Sequence, residues 1–173
     1  MAEYLSDGVV GMDQVPLELG ERQRQYCLAR GHHVQQIIGY GIDGYVWRTD
    51  QDSVLKVHRY RQGFEIELAV YQRLTKLGLR RLQGFTIPKL LDYAADLYVL
   101  ELTFVAPPFI LDFAAVRLDG PPFGFDPEAP SWIAEKKRMF GSDWPDVQRL
   151  LNGLLQYGVY FPDVHLGNVR VRR

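Results

Sequence analysis

A glycine-rich turn between two strand-like segments constrains the fold of this chain more than any other feature. Residues 38–46 read IGYGIDGYV, which places Gly39, Gly41 and Gly44 in the spacing GxGxxG. In a dinucleotide-binding fold such glycines open a helix whose N terminus faces a pyrophosphate, but residues 45–49 read as a second strand. A Walker loop needs Gly-Lys followed by Ser or Thr, and the sequence has no such triplet. The turn therefore predicts a hairpin, either purely structural or one whose bare backbone N–H groups approach a phosphate.

Composition restricts the class of protein to which this hairpin belongs. The chain has 173 residues, 47% of them hydrophobic, which suits one domain or a compact pair of lobes. A net charge of −1 gives no indication of a nucleic-acid or anionic-membrane partner. Cys27 is the only cysteine, residues 1–11 do not resemble a signal peptide, and no apolar run approaches the ~20 residues of a membrane helix. We expect a cytoplasmic protein without nucleic-acid or membrane partners.

Hydrophobic patterning predicts a mostly β half followed by a mostly helical half. A helix over 16–30 ends at Gly31 and forms an N-terminal extension, residues 1–32. Residues 33–102 form the β half, with five strands and one helix, expected at 33–38, 45–49, 53–58, 90–93 and 97–102 for the strands and 64–77 for the helix.

The helical half, residues 103–173, begins after a seam near 101–108. We expect a short helix over 109–118, a loop over 120–130 and a helix that begins at Trp132 with Ser131 as its cap. A strongly amphipathic helix over 143–157 and a strand over 169–171 complete the prediction.

Two polar features interrupt this pattern. Lys56 lies among the apolar residues of the third strand, so it is either exposed on an alternating strand or placed to meet an anion. Asp163 and Asn168 lie five positions apart in the loop between the last helix and the last strand. Taken alone, such a loop is more often an ordinary turn rich in Asp, Gly and Asn, and His165 within it reads as an ordinary loop histidine.

The order of glycine hairpin, strand lysine, helix and Asp…Asn loop resembles the protein-kinase-like superfamily. Residues 163–168 read DVHLGN and are similar to the D-x-H-P-G-N loop of the aminoglycoside and choline phosphotransferases, with Leu166 in place of proline. The resemblance spans about 34–171. It implies an α+β fold, with a five-stranded antiparallel N-lobe sheet, one packed helix and a reduced helical C-lobe.

The resemblance also implies ATP and Mg²⁺ as cofactors and assigns roles to single residues. Lys56 would contact the α- and β-phosphates and pair with a glutamate of the next helix. Glu67 is preferred over Glu65 for that pair, since it lies beside the apolar positions of the helix. Asp163 would accept or orient the proton of a nucleophilic hydroxyl and contact the metal, and Asn168 would hold Mg²⁺. The remaining nucleotide-binding candidates are Gly39, Gly41, Gly44, Glu101 and Leu102.

Two departures from the family pattern leave three functions open. Phe161 stands where such loops usually have histidine, and residues 169–173 contain no DFG-type segment, whose aspartate is the principal Mg²⁺ ligand of the family. The chain is therefore an atypical minimal kinase that transfers the γ-phosphoryl of ATP to a hydroxyl, or a pseudokinase that acts as a regulatory binding module. In the third alternative, a protein partner or a further C-terminal segment supplies the missing carboxylate.

Overall fold

The computed structural model describes residues 15–106, 108–110, 113 and 115–171. Two parts of the predictions lie outside these residues: residues 1–14 of the predicted N-terminal extension and Pro107 of the predicted seam. The helices are α1 (Leu17–Arg30), α2 (Arg61–Lys76), α3 (Pro130–Phe140) and α4 (Trp144–Leu155), with a 3₁₀ turn Gly141–Asp143 between the last two. The strands are β1 (Val34–Tyr40), β2 (Gly44–Thr49), β3 (Ser53–His58), β4 (Arg81–Leu82), β5 (Phe85–Thr86), β6 (Leu90–Ala94), β7 (Val99–Thr103), β8 (Phe109–Ile110), β9 (Arg117–Leu118), β10 (Val159–Tyr160) and β11 (Val169–Arg170).

The largest sheet has five strands in the order β1-β2-β3-β7-β6, and all neighbours are antiparallel. This confirms the predicted α+β class and the five-stranded sheet. β3 is the central strand, and all six of its residues are buried. A strand that is buried on both faces needs a partner for every polar side chain that it carries. Lys56 and His58 therefore need polar partners inside the protein.

The two faces of the sheet are covered by different helices. α2 and the C-terminal helices pack on one face, where Val54, Leu100 and Leu102 meet Phe64 and Tyr71. α1 covers the other face, on which a second core joins residues of the helix and the sheet: Leu19, Tyr26, Trp47, Leu55, Val57 and Val99. The region predicted as an extension therefore supplies one layer of the fold. α1 ends as predicted, because Gly31 adopts φ 67° and its N–H bonds the carbonyl of Cys27.

The predicted helix over 109–118 is wrong within the described residues. Phe109–Ile110 and Arg117–Leu118 are short strands, which pair with β11 and β10 respectively. The buried apolar residues of this segment are Phe109, Ile110, Phe113 and Val116. Their spacing imitates one face of a helix, but partners at 159–170 instead hold the ends of the segment in extended backbone.

The C-terminal helices follow the predicted pattern with one change at a cap. α3 begins at Pro130 after Ala129, so Ser131 lies inside the helix and is not its cap. α4 buries an apolar stripe of Trp144, Val147, Leu150, Leu151 and Leu154, as its amphipathic sequence predicts. No helix among the residues that the structure describes is long and apolar enough to cross a lipid bilayer.

Candidate functional site

A buried ion pair joins the central strand to α2. Lys56 Nζ lies 2.6 Å from Glu67 Oε2, and His58 Nε2 lies 2.7 Å from the same oxygen. Glu67 Oε1 accepts a hydrogen bond from the backbone N–H of Phe113 at 3.3 Å. Burial by itself raises the pKa of Glu67, but the charge of Lys56 and the hydrogen bond from His58 outweigh it and hold that pKa well below its ordinary value. The carboxylate is therefore ionised at neutral pH.

Strand and helix periodicity place these side chains together. Along β3, the side chains of Val54, Lys56 and His58 all point to the face that α2 covers, because every second side chain of a strand points to the same face. On α2, Glu67 belongs to the buried stripe that also contains Phe64 and Tyr71. The predicted choice of Glu67 as the partner of Lys56 is therefore confirmed as a contact. Glu65 is instead exposed and pairs with Arg61 at 2.7 Å.

His58 is a residue of this site that the sequence analysis missed. It is completely buried and lies edge-on to Phe64, with ring centroids 5.8 Å apart. The signal was present in the alternation of Lys56 and His58 along β3, since two polar residues on one face of a buried strand require a common partner.

A cavity of about 790 Å³ opens beside this pair. Among the described residues, the charged part of its lining consists of Lys56, Glu67, Arg48 and Arg170, which is three cations and one carboxylate. Arg48 pairs with Asp52 and also lies over the ring of Phe104, 3.5 Å from its centroid. The rest of the lining is largely apolar and includes Ile38, Val46, Val54, Leu102, Phe104, Phe109, Leu166 and Val169. Apolar walls with a few convergent cations suit a flat aromatic group that carries a negatively charged tail.

The two predicted residues of the seam lie on opposite faces of the sheet. Leu102 lines the cavity, whereas Glu101 is not among the described lining residues and lies under α1. Glu101 accepts hydrogen bonds from Tyr26 Oη at 2.9 Å and Ser53 Oγ at 2.6 Å, and His32 Nε2 lies 3.2 Å from it. Burial, followed by the charge of Glu101, raises the pKa of Tyr26. The Glu101 side chain therefore anchors α1 to the sheet.

The glycine turn lies at one end of the sheet. Gly39 pairs with Val46 at a bulge of β1, and the N–H of Gly41 bonds the carbonyl of Gly44 at 2.9 Å. Gly44 has φ 151°, and a Cβ atom there would lie 2.0 Å from the carbonyl oxygen of Val57. The missing side chain of Gly44 therefore serves the close approach of β2 to β3. None of the three glycines is among the described lining residues of the large cavity.

The Asp163–Asn168 loop is braced by its own side chains. The buried amide of Asn168 donates to the carbonyl of Asp163 and accepts from the backbone N–H of His165 at 2.9 Å. His165 Nδ1 accepts from the N–H of Gly167 at 2.9 Å, which leaves Nε2 on the side of Asp163 Oδ2, 3.7 Å away. Asp163 itself keeps 59% of its side chain exposed. The loop thus presents one accessible carboxylate, and the Asn168 side chain is turned toward the loop backbone.

A second cavity of about 640 Å³ is lined by Asp43 of the glycine turn and by Pro162, the residue before the Asp163–Asn168 loop. Neither Asp163 nor Asn168 is among its described lining residues. Within 15–106, 108–110, 113 and 115–171, no three His, Cys, Asp or Glu side chains cluster in a way that could hold a metal ion.

No protein-family model and no curated protein matches the sequence. Among solved structures, the chain is similar to the streptomycin–ATP ternary complex of the aminoglycoside phosphotransferase APH(2'')-IIa, which has a protein-kinase-like fold. The sequence identity is 13% and the TM-score is 0.41. The alignment covers 85% of this chain and 56% of that enzyme, so the chain spans a little over half of the enzyme's length.

Proposed function

We propose that this protein is a kinase-like nucleotide-binding protein that takes ATP in the cavity beside Lys56. The observation that carries this proposal is a lysine on a fully buried strand that faces a large, mostly apolar cavity and is held there by a buried glutamate. A lysine held in the core by an ion pair with a buried glutamate is expensive to maintain for stability alone. Binding of an anionic ligand in the cavity explains why Lys56 is kept at this buried position.

Each part of the cavity has a role in this proposal. The apolar side chains Ile38, Val46 and Val54 hold the base, and Leu102 lies at the edge toward the seam. The ammonium group of Lys56 meets the α- and β-phosphates. Glu67 keeps Lys56 extended across the cavity floor, and His58 and the Phe113 N–H fix the position of that carboxylate. Gly39 and Gly41 supply the backbone of the turn that approaches the phosphates, whereas Gly44 serves the packing of the sheet.

Transfer of the γ-phosphoryl to a hydroxyl would use Asp163, whose exposed carboxylate can orient the hydroxyl and accept its proton. His165 Nε2 lies 3.7 Å from this carboxylate. Asn168 keeps the backbone of the loop in place, and its side-chain oxygen remains a candidate ligand for the Mg²⁺ that accompanies ATP. Mg²⁺, when bound, neutralises charge on the phosphates.

ATP binding is tested by measuring thermal stability and calorimetric binding with ATP, in the presence and absence of Mg²⁺. ATP at a hundred times its dissociation constant should raise the free energy of unfolding by ~2.7 kcal/mol. Lys56→Met should lose most of this effect relative to its own ligand-free baseline. Lys89→Met, at an exposed lysine, is the matched control and should respond like the wild type. No response of the wild type to millimolar ATP would overturn the proposal, and an equal response of Lys56→Met would overturn the role of Lys56.

Turnover separates the enzyme from the regulatory module. ATP hydrolysis and autophosphorylation are measured for the wild type and for Asp163→Asn. Wild-type turnover that Asp163→Asn abolishes identifies a phosphotransferase. Intact ATP binding without turnover identifies a pseudokinase that acts through a partner.

A further inference from the structure

One guanidinium group attaches α2 to two segments of the helical half. Arg73, in the last turn of α2, donates to the carboxylate of Asp119 through Nη1 at 2.6 Å and through Nη2 at 2.7 Å. Its Nη1 also donates to the carbonyl of Tyr157 at 3.3 Å. Asp119 directly follows β9, and Tyr157 lies between α4 and β10. These three hydrogen bonds, which we call the Arg73 clasp, join the helix that carries Glu67 to the C-terminal half of the chain.

The backbone around the clasp holds the carboxylate in place. The N–H of Asp119 donates to the carbonyl of Gly158 at 2.8 Å. A Cβ atom added at Gly158 would lie 2.7 Å from Asp119 Oδ1 and 2.9 Å from Arg73 Nη1, so the missing side chain leaves the space that the clasp occupies. The hydrogen bonds from Arg73 hold the pKa of Asp119 below its ordinary value, and the carboxylate is therefore ionised at neutral pH.

Stability alone does not explain this arrangement. Asp119 keeps 69% of its side chain exposed, and Arg73 keeps 28%. An ion pair that water reaches contributes little to the free energy of unfolding. An arginine that binds both oxygens of a carboxylate does, however, fix the relative orientation of the two groups. The clasp therefore orients α2 more than it stabilises the fold.

The helix has a second attachment to the same half of the chain. Glu67 Oε1 accepts a hydrogen bond from the N–H of Phe113, whose ring contacts Tyr71 with centroids 5.3 Å apart. Arg73 lies six residues after Glu67, which places it about 9 Å further along the helix axis and roughly 120° around it. Two attachments at different heights and on different sides oppose both tilting and rotation of α2. Because Glu67 also holds Lys56 at 2.6 Å, the position of Lys56 depends on both attachments.

We propose that Arg73 and Asp119 are positioning residues of the ATP site, and that the clasp sets how closely the sheet and the helical half approach each other across the cavity. The cavity is lined by Lys56 on the side of the sheet and by Val169 on the side of the helical half. Neither Arg73 nor Asp119 is among its described lining residues. They act on the nucleotide through α2 and Glu67. This inference rests on the proposed function.

ATP affinity and stability, measured separately, test the inference. ATP binding is measured by calorimetry in Mg²⁺, and unfolding is measured in urea, for the wild type, Arg73→Gln, Asp119→Asn and the double variant. Each single variant should weaken ATP binding at least about fivefold, with only a small shift of the urea midpoint, since Asp119 is largely exposed. The double variant should bind ATP no more weakly than the single variants, because each change removes the same contact.

Two further variants separate geometry from charge. Arg73→Lys keeps the positive charge but cannot bind both carboxylate oxygens in a fixed plane, so its ATP affinity should fall between those of the wild type and Arg73→Gln. The matched control is the pair Arg149→Gln and Asp146→Asn, at an exposed ion pair of α4, and both should bind ATP like the wild type. If Arg73→Gln fails to fold, Asp119→Asn, at an exposed side chain, decides the test against this control.

The outcomes separate the inference from the function on which it rests. Weaker ATP binding in the single variants, with no further loss in the double variant, supports the clasp. An ATP affinity that is unchanged in either single variant overturns the positioning role and leaves nucleotide binding in place. Losses that multiply in the double variant also overturn it, because they show that the two residues act independently. A wild type that binds no ATP overturns the proposed function and, with it, the role of the clasp.

Discussion

Phe113 and Glu67, 46 positions apart in the sequence, are joined by a hydrogen bond of 3.3 Å from the backbone N–H of Phe113 to Glu67 Oε1. The other carboxylate oxygen receives Lys56 and His58. Glu67 therefore connects the central strand, α2 and the segment after β8 through one fully buried group. Buried polar groups of this kind are stable only while all partners remain in place.

Replacement of this carboxylate should be costly for folding. Glu67→Gln removes the charged partner of the buried Lys56–Glu67 pair, and removal of one partner from a buried pair costs ~3–5 kcal/mol. The measurement is urea unfolding at pH 7. Glu65→Gln, on the exposed face of the same helix, is the matched control and should change stability by less than ~1 kcal/mol. Similar effects of the two variants would show that the Lys56–Glu67 pair is not a buried structural contact.

A fall in pH should lower the free energy of unfolding through protonation of Glu67. Lys56 and His58 hold the pKa of Glu67 below its ordinary value of 4.5, to about 2, so between these values the unfolded chain binds more protons than the folded chain. The contribution of Glu67 to stability is therefore fully present above about pH 4.5 and is lost as the pH falls toward the folded pKa. In unfolding experiments from pH 6 to 2.5, Glu67→Gln should show a shallower decline than the wild type. Parallel declines would contradict the low pKa.

Gly44 should tolerate no side chain, for a reason that lies in the sheet. Its φ of 151° and the 2.0 Å distance from an added Cβ to the carbonyl oxygen of Val57 mean that Gly44→Ala must push β2 away from β3. We expect a loss of more than ~2 kcal/mol in the free energy of unfolding. Gly120→Ala is the control, because nothing lies within 4 Å of its added Cβ. If both variants unfold at the same urea concentration as the wild type, the close approach is not required.

Features governed by short-range periodicity could be predicted from the sequence. The five strands followed from alternation and turn residues, whereas their union in one antiparallel sheet was implied by the family resemblance. The choice of Glu67 followed from the apolar stripe of α2. The same alternation would have shown that the Glu101 side chain lies on the other face of β7 from Leu100 and Leu102. Glu101 therefore points away from the cavity. The alternation would also have shown His58 beside Lys56.

Features that depend on distant partners could not be predicted in this way. β8 and β9 have two residues each, too few to show a period, and they are strands because 159–160 and 169–170 pair with them. The role of α1 also depends on tertiary contacts, since its hydrophobic pattern does not identify which face of the sheet it covers. The geometric requirement for Gly44 arises from the backbone of another strand, whereas the glycine spacing suggests a phosphate.

A Glu101 variant tests whether the sheet face under α1 affects stability but not nucleotide binding. Its carboxylate receives hydrogen bonds from Tyr26 and Ser53 beneath α1, on the side away from the large cavity beside Lys56. Glu101→Gln keeps the size of the side chain but weakens these charge-assisted hydrogen bonds, so we expect a loss of ~1–3 kcal/mol in the free energy of unfolding. Because Leu102 alone of the two seam residues lines the cavity, the affinity for ATP should remain that of the wild type. Unfolding in urea and calorimetric titration with ATP measure the two quantities. A variant that loses ATP affinity without losing stability would return Glu101 to the nucleotide site, as the sequence resemblance implies.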